Sequence, residues 1–232
     1  MVYERMRKAH FLNRPNRFIA TVELDGQPVV CHVKNTGRCR ELLLPGTEVW
    51  VQEAASPARK TAYDLIAVQK GERLINMDAA APNAALGEWL RQGGLLPEPR
   101  LVKAEAKRGA SRLDFYVESA DRRAWVEVKG VTLEEKGHTR FPDAPTERGI
   151  KHLRELEECV RDGYEAYAVF VIQMEGAEDF APNWQTHAAF GEALCHAAEA
   201  GVGILALDCT VTPRSMQIRR PVPVRLDKPE QA

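Results

Sequence analysis

Two short stretches decide how this chain reads: Ser111-Arg-Leu-Asp-Phe-Tyr-Val-Glu118 and Trp125-Val-Glu-Val-Lys-Gly130. In the first, Leu113, Phe115 and Val117 flank acidic Asp114, a period-two run that reads as a strand. Glu118 to Arg123 is polar and reads as a turn, and Trp125 to Lys129 reads as the returning strand. Side chains i and i+2 of a strand share one face, so Glu127 and Lys129 point one way and Val126 and Val128 the other. Pairing the two strands as a hairpin brings Asp114 beside Glu127.

Two carboxylates and an ammonium on one rim make a specific chemistry available. Mg²⁺ commonly takes one or two carboxylates plus water and phosphate oxygens. A cation so held activates water and stabilises charge on a phosphodiester, and Lys129 is placed to position that water or neutralise the transition state. Asp114 followed by Glu127-x-Lys129 is the residue set of the PD-(D/E)xK phosphodiesterase fold. Glu105, upstream, is a candidate third acid near the metal. The competing reading is ordinary: Glu-Val-Lys on an exposed strand face forms a solvated salt bridge. Arg112 likewise either binds phosphate or pairs with a carboxylate.

Composition bounds the rest. The chain has 232 residues, 44% hydrophobic and 28% charged, enough to bury a core as a soluble globular protein of one large or two small domains. Net charge is −1, so no global basic field advertises nucleic acid, but residues 1–80 carry 12 Lys and Arg against 9 Asp and Glu. Five scattered cysteines with no C-x-x-C pair argue for reduced thiols and a cytoplasmic location. The polar start and the lack of a long apolar run point away from a signal peptide and the membrane. The six histidines show no metal-ligand spacing.

From the N-terminus, strands are expected over Arg17–Leu24, Pro28–Lys34, Thr47–Glu53, Thr61–Gln69 and Arg73–Met77, with an Asp25-Gly26 hairpin turn. Five short strands in this span read as a small closed barrel of OB type over residues 1–80. Its loop Asn35-Thr-Gly-Arg-Cys-Arg40 supplies Asn35, Thr36, Arg38 and Arg40 as donors for phosphate or base edges. Phe18, Trp50 and Tyr63 are the candidates for base stacking. Asn83 is expected to cap a short helix through Leu90, with a linker over residues 81–100.

Residues 81–232 read as an α/β domain, within an α+β chain overall. Residues 134–142 are expected as a loop at the rim. A helix then runs from Asp143 to about Asp162, with Pro145 in its first turn. Its first turns carry Arg148, Lys151 and His152 opposite the apolar face, a cluster suited to a phosphate backbone. Ala166–Gln173 is a strand buried on both faces whose last residue, Gln173, is placed to reach the site. A helix over His187–Ala200, a strand over Val202–Leu207 and a covering hairpin in the tail complete the pattern.

The chain closely resembles the bacterial and archaeal sugar fermentation stimulation protein A family. The matching segments are His32-Val-Lys-Asn-Thr-Gly-Arg38, Glu41-Leu-Leu-Leu-Pro-Gly46, Ser111-Arg-Leu-Asp114, Val126-Glu-Val-Lys-Gly-Val-Thr-Leu133, Phe141-Pro-Asp-Ala-Pro-Thr-Glu-Arg-Gly149, Lys151-His-Leu-Arg-Glu-Leu156 and Phe170-Val-Ile-Gln173. The resemblance implies an N-terminal OB-like domain, a C-terminal PD-(D/E)xK-like domain, DNA binding and a link to sugar catabolism genes. It maps the nuclease motif onto Asp114, Glu127 and Lys129, with Glu105 as the upstream acid. Leu113 stands where the motif's name has proline.

Two readings of function follow. In one, Asp114 and Glu127 hold Mg²⁺ or Mn²⁺, Lys129 assists the attacking water, and the chain cleaves duplex or single-stranded DNA. In the other, the scaffold is kept without turnover, and the chain is a DNA-binding transcriptional regulator of sugar (maltose) metabolism genes. A nucleotide or RNA partner on the barrel is a third option. The oligomeric state is left open, a dimer included.

Overall fold

The structure, a computed structural model, describes residues 1–35, 37, 39–55, 59–109 and 111–228. Six strands form the N-terminal part: β1 (Met6–Asn16), β2 (Ile19–Leu24), β3 (Gln27–Val33), β4 (Glu48–Glu53), β5 (Tyr63–Lys70) and β6 (Arg73–Asn76). β1 pairs with β2 and β4, β2 with β3, and β4 with β5, all antiparallel. A parallel pairing of β3 with β5, from Cys31 opposite Tyr63 to Val33 opposite Leu65, closes the ring. The result is a five-stranded OB barrel filled by Phe11, Val22, Val33, Val51 and Leu65. Asp25 and Gly26 both take positive φ, as the tight hairpin between β2 and β3 requires.

Arg73–Met77 does not supply the fifth barrel strand. The fifth barrel strand is β1, and β6 is a hairpin extension of β5 outside the ring. β1 turns Arg7 and Lys8 outward and carries Arg14 and Pro15 near its end, so little of it reads as a strand. Its inward Ala9 and Phe11 sit in the barrel core.

The C-terminal part contains α1 (Ala81–Arg91), β7 (Leu101–Arg108), β8 (Ser111–Glu118), β9 (Arg123–Val131), β10 (Leu133–Glu135), β11 (His138–Phe141), α2 (Glu147–Arg161), β12 (Glu165–Ile172), β13 (Asp179–Pro182), α3 (Ala188–Glu199), β14 (Gly203–Thr212) and β15 (Ser215–Val222). The main sheet has the order β15-β14-β12-β9-β8-β7, with β9, β12 and β14 parallel. β12 feeds both layers. Val169 and Val171 pack with α1, whereas Ala168 and Phe170 pack on the side of α2 and α3. That second layer is continuous with the barrel interior in one apolar cluster. Among the described residues, no helix is long and apolar enough to cross a membrane.

Three local expectations change. Residues 133–141 are not a free loop: β10 and β11 form a hairpin, and β11 pairs in parallel with β13. Helix α2 starts at Glu147, four residues later than expected, because the Thr146 hydroxyl accepts the Gly149 N–H and caps it. Asn83 lies inside α1 and does not cap it. Its side chain goes to Asp114 instead.

Candidate active site

The site begins where β8 leaves β9. Their antiparallel ladder runs from Glu118 opposite Arg123 to Phe115 opposite Val126 and records no further pair. At the next position Asp114 replaces the backbone with its side chain: Oδ2 accepts the Val128 N–H at 2.7 Å. Asn83 of α1 donates to Oδ1 at 2.8 Å. The strands part here with their backbone donor satisfied, and the Asp114 carboxylate is fixed in the gap.

Continuing the register past Phe115 and Val126 sets Glu127 of β9 across from Asp114; it is buried, and its charge is near enough to raise the Asp114 pKa. Lys129 Nζ donates to Glu127 Oε1 at 2.7 Å. His152 of α2 meets the same oxygen through Nδ1. The Arg148 Nε donates to His152 Nε2 at 3.2 Å, so Nε2 accepts and the ring proton falls on Nδ1, toward Glu127. Both contacts to Glu127 fall on Oε1.

The two carboxylates are driven in opposite directions. Burial raises the Asp114 pKa, and the nearby Glu127 charge raises it further, outweighing the Val128 N–H, Asn83 and Lys129. Burial also pushes Glu127 up, but the His152 hydrogen bond and the charge and hydrogen bond of Lys129 overcome it, and its pKa is lowered. Paired carboxylates split by their surroundings are a mark of acid–base and metal sites.

Glu105, on β7 with positive φ, is exposed and ion-paired with Arg112 at 2.8 Å. That contact draws both from the roles expected of them, the third acid and the phosphate ligand. His152 is not on an open cationic face: it is buried against Glu127, so it does not grip a strand with Arg148 and Lys151. Arg148 and Lys151 are exposed, Lys151 with Glu155 at 3.5 Å. Gln173 does not enter the gap. Its amide donates to the Asn76 and Asp78 carbonyls at 3.0 and 3.2 Å and ties β12 to the segment leaving the barrel. Asn35 and exposed Arg40 lie on the barrel loop, with Asn35 Oδ1 accepting the Gly37 N–H at 2.8 Å. Thr36 and Arg38 lie outside the described residues.

Two residues of this site escape a reading of sequence alone. Asn83 is one, since only the packing of α1 brings it to Asp114. The other is His152 as a partner of Glu127, for which the sequence holds a signal: it sits one residue before Leu153 and two after Ile150, inside the buried stripe of α2.

The donor set suits a hard cation, because Asp114 and Glu127 offer only oxygens and a cation would relieve their repulsion. Among the described residues, no group of three or more His, Cys, Asp or Glu is arranged to hold a metal ion. A cation at Asp114 and Glu127 would therefore complete its shell with water or substrate oxygens.

Comparison with known proteins bears on the whole chain. Residues 80–215 match the family model described as the sugar fermentation stimulation protein RE domain, and residues 12–77 match the SfsA N-terminal OB domain. The sugar fermentation stimulation protein homolog of Desulfitobacterium hafniense (strain Y51) is 57% identical over 226 residues, covering 97% of this chain and 99% of that protein. The homolog of Clostridium beijerinckii is 53% identical, with 97% and 100% covered. The solved structure of Pyrococcus furiosus SfsA in complex with Ca²⁺ matches with a TM-score of 0.87 and 29% identity, over 97% of this chain and 98% of that one. With its OB barrel, its mixed α/β domain and relatives of this identity along almost its full length, the chain belongs to the sugar fermentation stimulation protein family.

Proposed function

We propose that this chain is a divalent-metal-dependent phosphodiesterase that acts on DNA in the cytoplasm. The observation that carries the reading is the parting of β8 and β9, which leaves Asp114 and Glu127 facing one gap with their pKa values driven apart. The P. furiosus relative was solved in complex with Ca²⁺, a hard cation of the class these oxygens suit.

Asp114 and Glu127 would hold Mg²⁺ or Mn²⁺, which when bound supplies a polarised phosphate and an acidified water. The protein's own part is positioning. The Val128 N–H and Asn83 fix both oxygens of Asp114. His152, oriented by Arg148, holds Glu127 by Oε1. The Lys129 ammonium, anchored on the same oxygen, is placed to orient the attacking water or to stabilise charge developing on the phosphodiester. Exposed Arg148 and Lys151 would contact the backbone phosphates of the substrate.

The test is a cleavage screen of single- and double-stranded DNA with Mg²⁺, Mn²⁺ or chelator. Metal-dependent cleavage that disappears in Lys129→Ala supports the reading. Absence of cleavage with every metal and substrate overturns it. A second reading has its own observation: Glu127 is already ion-paired with Lys129 and hydrogen-bonded by His152, and Glu105 is engaged by Arg112. That arrangement favours a DNA-binding regulator of sugar catabolism genes that keeps the scaffold without turnover. Its signature is salt-sensitive DNA binding with no cleavage and little change in Lys129→Ala.

A further inference from the structure

Away from Asp114 and Glu127, the barrel carries a cavity of about 470 Å³ between the β1–β2 turn and a facing wall of Gly37, Cys39, Arg40, Leu43 and Pro45. Its floor is apolar, from Phe11, Leu43 and Pro45, and its walls include Arg14, Arg17 and Arg40. No carboxylate is among the lining residues that the structure describes. Phe18 does not line the cavity itself but follows the lining residue Arg17, and it is an exposed aromatic with 48% of its surface in water. The Arg17 guanidinium lies over the Phe18 ring, 5.3 Å from its centre.

These walls are built in advance of any ligand. Asn16 Oδ1 accepts both the Phe18 and the Ile19 N–H, at 2.9 and 3.1 Å, which sets the turn that presents the ring. Arg14 then joins the two walls. It donates to the Arg17 carbonyl on the turn at 2.7 Å, and to the Asn35 and Gly37 carbonyls on the facing loop at 2.8 and 3.0 Å. A guanidinium committed to three carbonyls fixes the mouth of the cavity, leaving Arg17 and Arg40 as the exposed cations.

We infer that this cavity is a subsite for one unpaired nucleotide of a single-stranded nucleic acid, its base against Phe18 and the apolar floor and its phosphates on Arg17 and Arg40. An aromatic face recognises a base only when the base is unpaired, and guanidinium groups beside it track the backbone. The loop leads toward the catalytic gap. Asn35 lines a small crevice with Gly130 and Arg140, and Gly130 directly follows Lys129. A Cβ on Gly37 would collide with Asp143 Oδ2, so Gly37 packs tightly against the approach to α2. A strand seated in the cavity would run along this seam toward Glu127. The inference rests on the reading of the chain as a nucleic-acid protein and narrows it to the single strand.

The test is fluorescence anisotropy of labelled oligothymidylate, alone or annealed to oligoadenylate, binding the full chain in chelator. The wild type should bind the single strand at least about tenfold more tightly than the duplex. Phe18→Ala should weaken single-strand binding by roughly 5- to 100-fold, the range carried by one stacked base. Arg17→Gln and Arg40→Gln should each lower the slope of log affinity against log salt by about 0.7. All three side chains are exposed, so melting temperatures should not move. Unchanged binding in Phe18→Ala, or a preference for the duplex, overturns the inference. If metal-dependent cleavage persists while Phe18→Ala binds normally, the subsite falls and the nuclease reading stands. If nothing is cleaved but Phe18→Ala loses the single strand, the nuclease reading falls and the subsite stands.

Discussion

Glu127 and Glu134 are both buried glutamates facing two basic side chains, and both are held below the usual carboxylate range. At Glu134, burial pushes the pKa up, and Lys70, the Gly137 N–H and Arg73 outweigh it. Lys70 takes Oε2 at 2.7 Å, while Arg73 and the Gly137 N–H take Oε1 at 2.9 and 2.6 Å. That carboxylate is answered on both oxygens and clips the barrel to β10. At Glu127, both contacts share Oε1, and a second carboxylate stands close enough to be raised by its charge. A lowered pKa alone therefore does not mark a site. What marks it is a neighbouring like charge left uncompensated. A cavity of about 800 Å³ makes the same point: it lies at Lys70, Arg73 and Glu134, and neither Asp114, Glu127 nor Lys129 lines it.

This contrast can be broken by mutation. The largest effect should come from Glu127→Gln and Lys129→Ala, each lowering metal-dependent cleavage by about 10²–10³-fold or more in single-turnover assays, while Glu134→Gln leaves the rate of the folded enzyme within a few-fold. His152→Ala should cost about 10- to 100-fold in cleavage and in metal affinity, with His152→Gln restoring part because it keeps a donor toward Glu127. Equal losses in Glu134→Gln and Glu127→Gln would erase the distinction between the two glutamates.

On stability the order reverses. Glu134→Ala strands Lys70, Arg73 and a buried N–H, and should destabilise by about 2–3 kcal/mol in denaturant melts. That is the low end for a broken buried pair, because Lys70 and Arg73 keep about a third of their side chains in water. Asp114→Asn should do the opposite and stabilise by up to about 1 kcal/mol while abolishing cleavage. Its folded pKa is raised, so the charged form is disfavoured by folding and neutralising it is a gain. The amide oxygen still accepts the Val128 N–H, and Asn83 keeps its hydrogen bond by turning its own amide oxygen toward the new NH2.

The smallest effect is on acid sensitivity. Glu127 and Glu134 have lowered folded pKa values, so their contributions are present above the unfolded carboxylate range and lost as pH falls through the folded values. The melting temperature should be flat from neutral pH to about 5 and fall below about 4.5. Glu134→Gln should show a shallower fall.

The same contrast explains what the sequence discloses. Asp114, Glu127 and Lys129 are legible because strand periodicity alone puts Glu127 and Lys129 on one face, and a short turn brings Asp114 alongside. Glu134 reads as part of a polar loop, because its partners Lys70 and Arg73 lie more than sixty positions upstream, across the barrel seam. Gln173 is misread for the same reason. It ends a buried strand where a ligand could be met, but Asn76 and Asp78 claim its amide. The missing barrel strand shows the limit in another form. Arg7, Lys8 and Pro15 hide β1, and only closure between β2 and β4 demands it.

If the proposed function holds, Asp114 and Glu127 together seat one divalent cation. Isothermal titration of Mn²⁺ into the wild type, Asp114→Asn, Glu127→Gln and Glu134→Gln measures this directly, without reference to any substrate. The expected result is one site per chain, present in the wild type and in Glu134→Gln and lost in the other two. Binding that survives both Asp114→Asn and Glu127→Gln, or a wild type that binds no Mn²⁺ at all, would contradict it.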